Sequence, residues 1–153
     1  MQKCDEQKKC VNDALAKAEL VCQERGLRFT EIRKFILRLI WDNPKPSKAY
    51  DLLGEVSKMN YSAKPPTVYR ALDFLLENGF IHKINTLNAY VACTHTLKHD
   101  HCYFIICDKC DQVQECCDEA ITETINKTLS QNRFSHKEIA LEISGSCDDC
   151  LQN

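Results

Sequence analysis

Two Cys-x-x-Cys motifs, Cys107-x-x-Cys110 and Cys147-x-x-Cys150, constrain what this chain can fold into more than any other feature. Each places two sulfurs on one tight turn, and two such turns supply the four thiolates of a tetrahedral zinc site. The 36 residues between Cys110 and Cys147 exceed the short spacing of a zinc ribbon, so the site must close around an inserted unit. That unit reads as a strand near Gln112–Glu115, a helix from about Asp118 to Gln131, and a strand near Ile139–Ser144. Zinc would then tie the last residues of the chain to a sheet beginning near Tyr103. A module of about 55 residues has little core of its own, and a structural zinc can supply roughly 10 kcal/mol or more of folding energy. A redox pair or two disulfides are the competing uses of these cysteines.

The remaining ligand-type residues crowd into the same part of the chain. Eight of the 11 cysteines and all five histidines lie between His82 and the end. The cysteine count is odd, no leader-like apolar segment opens the sequence, and no apolar run approaches a membrane span, so a soluble, cytoplasmic chain with reduced thiols is expected. At 153 residues the chain accommodates one domain or two small ones and excludes a large multidomain enzyme. Charge is divided as well. Residues 1–92 hold 15 Lys/Arg against 11 Asp/Glu, a net +4, whereas residues 93–153 hold 5 against 11, a net −6. A basic front module joined to an acidic rear module suits a nucleic-acid reader fused to something else.

The front module has the pattern of a winged helix-turn-helix. Val11–Arg25 carries apolar residues at helical spacing and Gly26 can end it; Thr30 is a ready N-cap for Glu31–Asp42. After the Asn43-Pro44-Lys45-Pro46 break, Ser47 is a candidate N-cap for a third helix bearing Tyr50, Leu52, Leu53 and Val56. A fourth helix is bracketed by Pro65-Pro66, which suit a first turn whose N–H groups lack partners, and by Gly79, which suits the position just past the end. Val68, Leu72, Leu75 and Leu76 form its apolar stripe, leaving Thr67, Tyr69 and Arg70 near the exposed N-terminal end, where a recognition helix meets base edges and phosphates. Phe80–Ile84 and Ala89–Cys93, around Asn85-Thr86-Leu87-Asn88, read as a hairpin wing.

A second metal group consists of His82, Cys93, His95, His99, His101 and Glu115. In an extended segment His99 and His101 point to one side while Asp100 points away, and His82 and Cys93 flank the base of the expected hairpin. Such a site would bridge the two modules. One thiolate with imidazole and carboxylate suits zinc better than manganese or octahedral ferrous iron. Cys4, Cys10, Cys22, Cys102, Cys116, Cys117 and His136 fall in no motif and receive no role. Hydrolase chemistry would need a separate acid/base pair, and the order of His95, His99, Asp100 and His101 departs from the common His-x-His-x-Asp-His signature, so no enzyme is expected. A thiol oxidoreductase or peroxide sensor is the other alternative that the cysteines raise.

The run Pro65-Pro66-Thr67-Val68-Tyr69-Arg70-Ala71-Leu72, with His99-x-His101 and the two Cys-x-x-Cys motifs, resembles the ferric uptake regulator family over about residues 14–150. Cys93 places the resemblance on the zinc-responsive side of that family, with iron or peroxide sensing as the alternative. The resemblance implies an α+β chain: a winged-helix DNA-binding domain over residues 1–92, a hinge at about 93–101, and a small α/β dimerisation and metal-binding domain over 102–153. It implies a homodimeric repressor of zinc uptake genes that binds double-stranded operator DNA, without membrane association. Two zinc ions per subunit are implied, a structural one on Cys107, Cys110, Cys147 and Cys150, and a sensory one on His82, Cys93, one of His99 and His101, and Glu115. Tyr50, Tyr69 and Arg70 fall where the family contacts DNA, beside Thr67 on the expected recognition helix. Thr30-Glu31-Ile32-Arg33 departs from the family's Thr-Pro-Gln-Arg but keeps Arg28 and Arg33.

Overall fold

The computed structural model describes residues 3–59, 63–94 and 102–152, with side chains from Cys10 onward. Internal contacts divide the chain into two units, Met1–Cys93 and Thr94–Asn153.

The first unit contains α1 (Lys3–Glu24), α2 (Glu31–Asp42), α3 (Ala49–Lys58), α4 (Pro65–Glu77) and a hairpin of β1 (Ile81–Ile84) with β2 (Ala89–Ala92). Helix α1 begins eight residues before the apolar pattern does. Its first turns are rich in Lys, Gln and Glu, which favour helix without adding an apolar stripe. The helix ends where Gly26 takes a φ of 65°, letting the Leu27 N–H return to the Cys22 carbonyl at 2.8 Å. Thr30 caps α2 as its chemistry predicts, its hydroxyl accepting from the Arg33 N–H at 3.4 Å.

Ser47 departs from expectation. The N-cap of α3 is Lys48, without a side-chain bond, while Ser47 exchanges two 2.8 Å backbone hydrogen bonds with Tyr90 of β2. Its hydroxyl, which capping would have used, instead accepts from the Asn43 side chain at 3.2 Å. A long-range bridge has taken the residue that local chemistry would assign to the helix.

Helix α4 starts with its prolines at the first two positions and ends before Gly79, whose φ is 75°. Val68, Ala71, Leu72, Phe74 and Leu75 are buried and Leu76 half-buried, so the inward face is broader than the expected stripe. These side chains join Ile36, Leu37 and Ile40 of α2, Leu52 and Val56 of α3, and Ala18 and Cys22 of α1 in one core. Each large aliphatic side chain fully removed from water contributes about 1.5–3 kcal/mol. Arg33 is part of this packing: its guanidinium lies 3.6 Å from the centroid of the Phe74 ring and donates to the Arg28 carbonyl.

The second unit is a three-stranded sheet in the order β4-β3-β5, from β3 (Cys102–Cys107), β4 (Val113–Cys117) and β5 (Glu142–Gly145), with helices α5 (Glu119–Gln131) and α6 (Asp148–Leu151). β3 and β4 pair antiparallel, β3 and β5 parallel, and α5 lies in the crossover that the parallel pair requires. Asp118 caps α5 by accepting from the Ala120 N–H at 2.8 Å. β5 starts three residues later than the sequence pattern indicates. Among the described residues of this unit, only Phe104, Ile106, Cys107 and Thr122 are buried. On the other face of the sheet, Ile105 and Ile143 are register partners on neighbouring strands and both are exposed.

Candidate metal centre

The parallel β3–β5 pairing builds a four-sulfur cluster. Cys107 ends β3 opposite Gly145, which ends β5 two residues before Cys147. The turn after β3 is closed by the Asp111 N–H on the Cys107 carbonyl at 3.0 Å, with Asp111 at a φ of 58°. The turn after β5 is closed by the Cys150 N–H on the Cys147 carbonyl, also at 3.0 Å. The two turns are joined by Asp108 N–H to Gly145 carbonyl at 2.9 Å and by the Ser146 hydroxyl to the Asp108 carboxylate at 3.3 Å. Cys107, Cys110, Cys147 and Cys150 thereby bring their sulfurs within 4.8 Å of one another.

This geometry fits zinc. With Zn–S bonds of ~2.3 Å, the edge of a regular tetrahedron of sulfurs is about 3.8 Å. The Cys110 and Cys147 sulfurs are 3.9 Å apart. The protonation pattern also reflects four close sulfurs. Hydrogen bonds from the backbone of Cys147, then Cys110 and Lys109, hold the Cys107 thiol down to about 6, the Cys147 N–H reaching its sulfur at 3.4 Å. Cys150 is pushed up to about 12, chiefly by its hydrogen bond with Cys147, and Cys110 is also raised. Cys107 is thus the sulfur most readily ionised, and a divalent cation would supply the charge needed to ionise the raised Cys110 and Cys150. Lys109 adds a hydrogen bond to the Cys150 carbonyl at 3.0 Å, from one Cys-x-x-Cys turn to the other.

The residues of the second expected group are distributed between the units. In the first unit, His82 lies opposite Val91 on β1, and Cys93 follows β2, two residues beyond Val91 and on the same face. The two offer ligand atoms within 4.8 Å of each other; His82 is half-buried and Cys93 is 1% exposed. The Cys93 N–H donates to the Phe80 carbonyl at 3.1 Å, which fixes the strand end that carries the sulfur. In the second unit, Glu115 is half-buried on β4 and its carboxylate accepts from the Thr94 N–H at 3.0 Å and the Thr94 hydroxyl at 2.8 Å. Thr94 carries no sequence signal for this role. His95, His99 and His101 lie outside the described residues.

The structure departs from the expectation of reduced thiols throughout: Cys102 and Cys117 are register partners on β3 and β4 and are joined as a disulfide. Their spacing of 15 residues forms no motif, and only the strand register brings them together. Cys10, Cys22, Cys93, Cys107, Cys110, Cys116, Cys147 and Cys150 are not disulfide-bonded. Burial raises the Cys22 thiol, as befits a core residue.

The residues expected to meet DNA all lie in the first unit. Tyr50 on α3 is 83% exposed, Tyr69 and Arg70 on α4 are exposed, and Thr67 is half-buried. The exposed positions lie in the first two turns of α4, the end whose dipole favours an anion.

Comparison with known proteins gives concordant matches. The model of the ferric uptake regulator family matches residues 24–144. The zinc uptake regulation protein of Escherichia coli (strain K12) is 38% identical over 152 residues, covering 95% of this chain and 86% of that protein. A solved zinc uptake regulator in complex with zinc and DNA superposes with a TM-score of 0.87 at 38% identity, covering 93% of this chain and 95% of the other. The crystal structure of holo XcZur gives a TM-score of 0.84 at 42% identity, covering 93% and 99%.

Proposed function

The chain belongs to the ferric uptake regulator family, and on that premise we propose that it is a zinc-responsive transcriptional repressor that binds operator DNA as a homodimer and controls zinc uptake genes. The observation that carries the zinc assignment is the buried Cys93 sulfur beside His82 at the base of the wing hairpin. A thiolate in the sensory set favours zinc over octahedral ferrous iron. The identity with a zinc uptake regulation protein, over nearly the whole chain, supports the same reading.

Two metal sites per subunit divide the work. Cys107, Cys110, Cys147 and Cys150 form the structural set, clamping α6 and the end of β5 to β3. His82, Cys93, Glu115 and one of His99 and His101 form the sensory set. Zinc, when bound, supplies a tetrahedral tie among ligands distant in sequence. His82 and Cys93 bring the wing to that tie. Glu115, oriented by Thr94, brings the sheet of the second unit. A fixed disposition of the two units lowers the ordering cost of placing two α4 helices on one duplex at once. Thr67, Tyr69 and Arg70 on α4 and Tyr50 on α3 are the DNA-facing side chains. Arg70 has the five-donor fork that pairs bidentately with guanine or grips phosphate. The exposed Ile105 and Ile143 supply an apolar patch suited to pairing with a second copy. The chain acts by occupying DNA in the cytoplasm and not by turnover.

Gel-shift titration on an AT-rich palindromic duplex with added zinc, ferrous iron or chelator tests this reading. Tight binding in zinc, loss in chelator and failure of iron to substitute are expected. Equal binding in zinc and in chelator would refute it, and selective activation by iron would move the chain to the iron-sensing branch.

A further inference from the structure

We propose that Cys102 and Cys117 form a redox-gated metal site: closed to metal as a disulfide, and opened by reduction as a thiolate pair that binds zinc together with Glu115. The site goes beyond the two sets assigned above but shares Glu115 with the sensory set, its carboxylate having two oxygens to offer two ions, and it is read out by metal stoichiometry, independently of DNA binding.

Its geometry follows from the register of the β3–β4 ladder. Cys102 is opposite Cys117, and Phe104 is opposite Glu115, so Cys102, Glu115 and Cys117 share one face of the two strands. The Cys102 and Cys117 Cα atoms are 4.1 Å apart, and both sulfurs and a Glu115 carboxylate oxygen lie within 4.8 Å of one another. None of the three is buried, so small thiols and metal ions can reach them. Thr94 anchors the Glu115 carboxylate beside the two sulfurs through two hydrogen bonds to one of its oxygens. Two thiolates and a carboxylate suit zinc, with water completing the tetrahedron.

The gate is thiol–disulfide exchange. One thiolate of a dithiol reductant attacks a sulfur of the disulfide, forming a mixed disulfide and releasing one chain cysteine as thiolate. The second thiol of the reductant then displaces the other cysteine and leaves as a cyclic disulfide, so two electrons and two protons pass to Cys102 and Cys117. In the reverse direction hydrogen peroxide takes the two electrons, and two waters and the disulfide result. A disulfide sulfur carries no thiolate charge and is a poor zinc ligand, whereas the thiolate is the ligand form. The oxidised state therefore excludes the metal that the reduced state accepts.

The test uses the full-length protein, equilibrated with zinc after treatment with either oxidised glutathione or a phosphine reductant, followed by metal analysis per chain. The reduced protein should hold one more zinc per chain than the oxidised protein, and the difference should vanish in the double variant C102S/C117S. As a measurement independent of the variant, zinc should shield Cys102 and Cys117 of the reduced wild-type chain from alkylation, read by peptide mapping. Equal zinc content in the two redox states, an increment that survives in the double variant, or alkylation of both cysteines indifferent to zinc would each overturn the proposal.

Discussion

Replacing Cys107 with serine removes the ligand that ends β3 and receives the Cys147 N–H, so it opens the four-sulfur cluster where its two turns meet. The consequence can be sized from the second unit. Among its described residues Phe104 and Ile106 are the large buried apolar side chains, and at 1.5–3 kcal/mol each they contribute about 3–6 kcal/mol. A four-ligand structural zinc site contributes roughly 10–16 kcal/mol at neutral pH. Zinc held by this cluster would thus stabilise the unit more than its apolar core does, and Cys107→Ser should leave the β4-β3-β5 sheet without enough to hold it. Amide hydrogen exchange on the full-length zinc-loaded protein reads this segment by segment. Protection in β3, β4 and β5 should fall by a hundredfold or more, while α2 and α4, buried in the separate core of the first unit, keep theirs. Sheet protection within about tenfold of wild type would refute the claim that zinc is the main support of this unit.

Three further outcomes follow from the same structure. Zinc uptake by the four-cysteine cluster should release protons, since Cys110 is raised and Cys150 stands at about 12, whereas Cys107, at about 6, is already ionised at neutral pH. Release, followed in weakly buffered titrations, should therefore increase and zinc affinity fall as pH drops through about 6 and Cys107 becomes protonated; affinity independent of pH between 5 and 8 would contradict this. Arg70→Ala should weaken operator binding by about 1–3 kcal/mol with an unchanged melting temperature, measured by fluorescence anisotropy, and equal affinity would return Arg70 to the solvated surface. Leu72→Ala, at a side chain with no exposure, should cost the first unit about 2–5 kcal/mol in denaturant unfolding; a loss below 1 kcal/mol would mean that the α2–α4 core closes around the gap.

The elements legible in the sequence are those whose ends carry their own chemistry. α2 is capped by Thr30, and α4 is bracketed by Pro65-Pro66 and Gly79. The convergence of the four cysteines is also legible, because two Cys-x-x-Cys turns need only one strand pairing to bring them together. What escapes depends on partners distant in sequence. Ser47 has the chemistry of a cap, but its backbone bonds are taken by Tyr90, 43 residues later. Cys102 and Cys117 meet through the register of β3 with β4, which no spacing rule encodes. Thr94 orients Glu115 through one backbone and one side-chain hydrogen bond, a role visible only once the strand is placed.

Metal binding at His82, Cys93 and Glu115 and occupation of DNA should be thermodynamically coupled, and the whole mechanism rests on that coupling. Isothermal zinc titration of the sensory site, with and without the palindromic duplex, measures it directly, and Cys93→Ser supplies the control lacking the thiolate. Linkage demands that DNA tighten zinc by the factor by which zinc tightens DNA, and a hundredfold effect corresponds to about 2.7 kcal/mol. A matching gain in zinc affinity on adding DNA, absent in Cys93→Ser, is the expected result. Identical zinc affinity in the two titrations would contradict it.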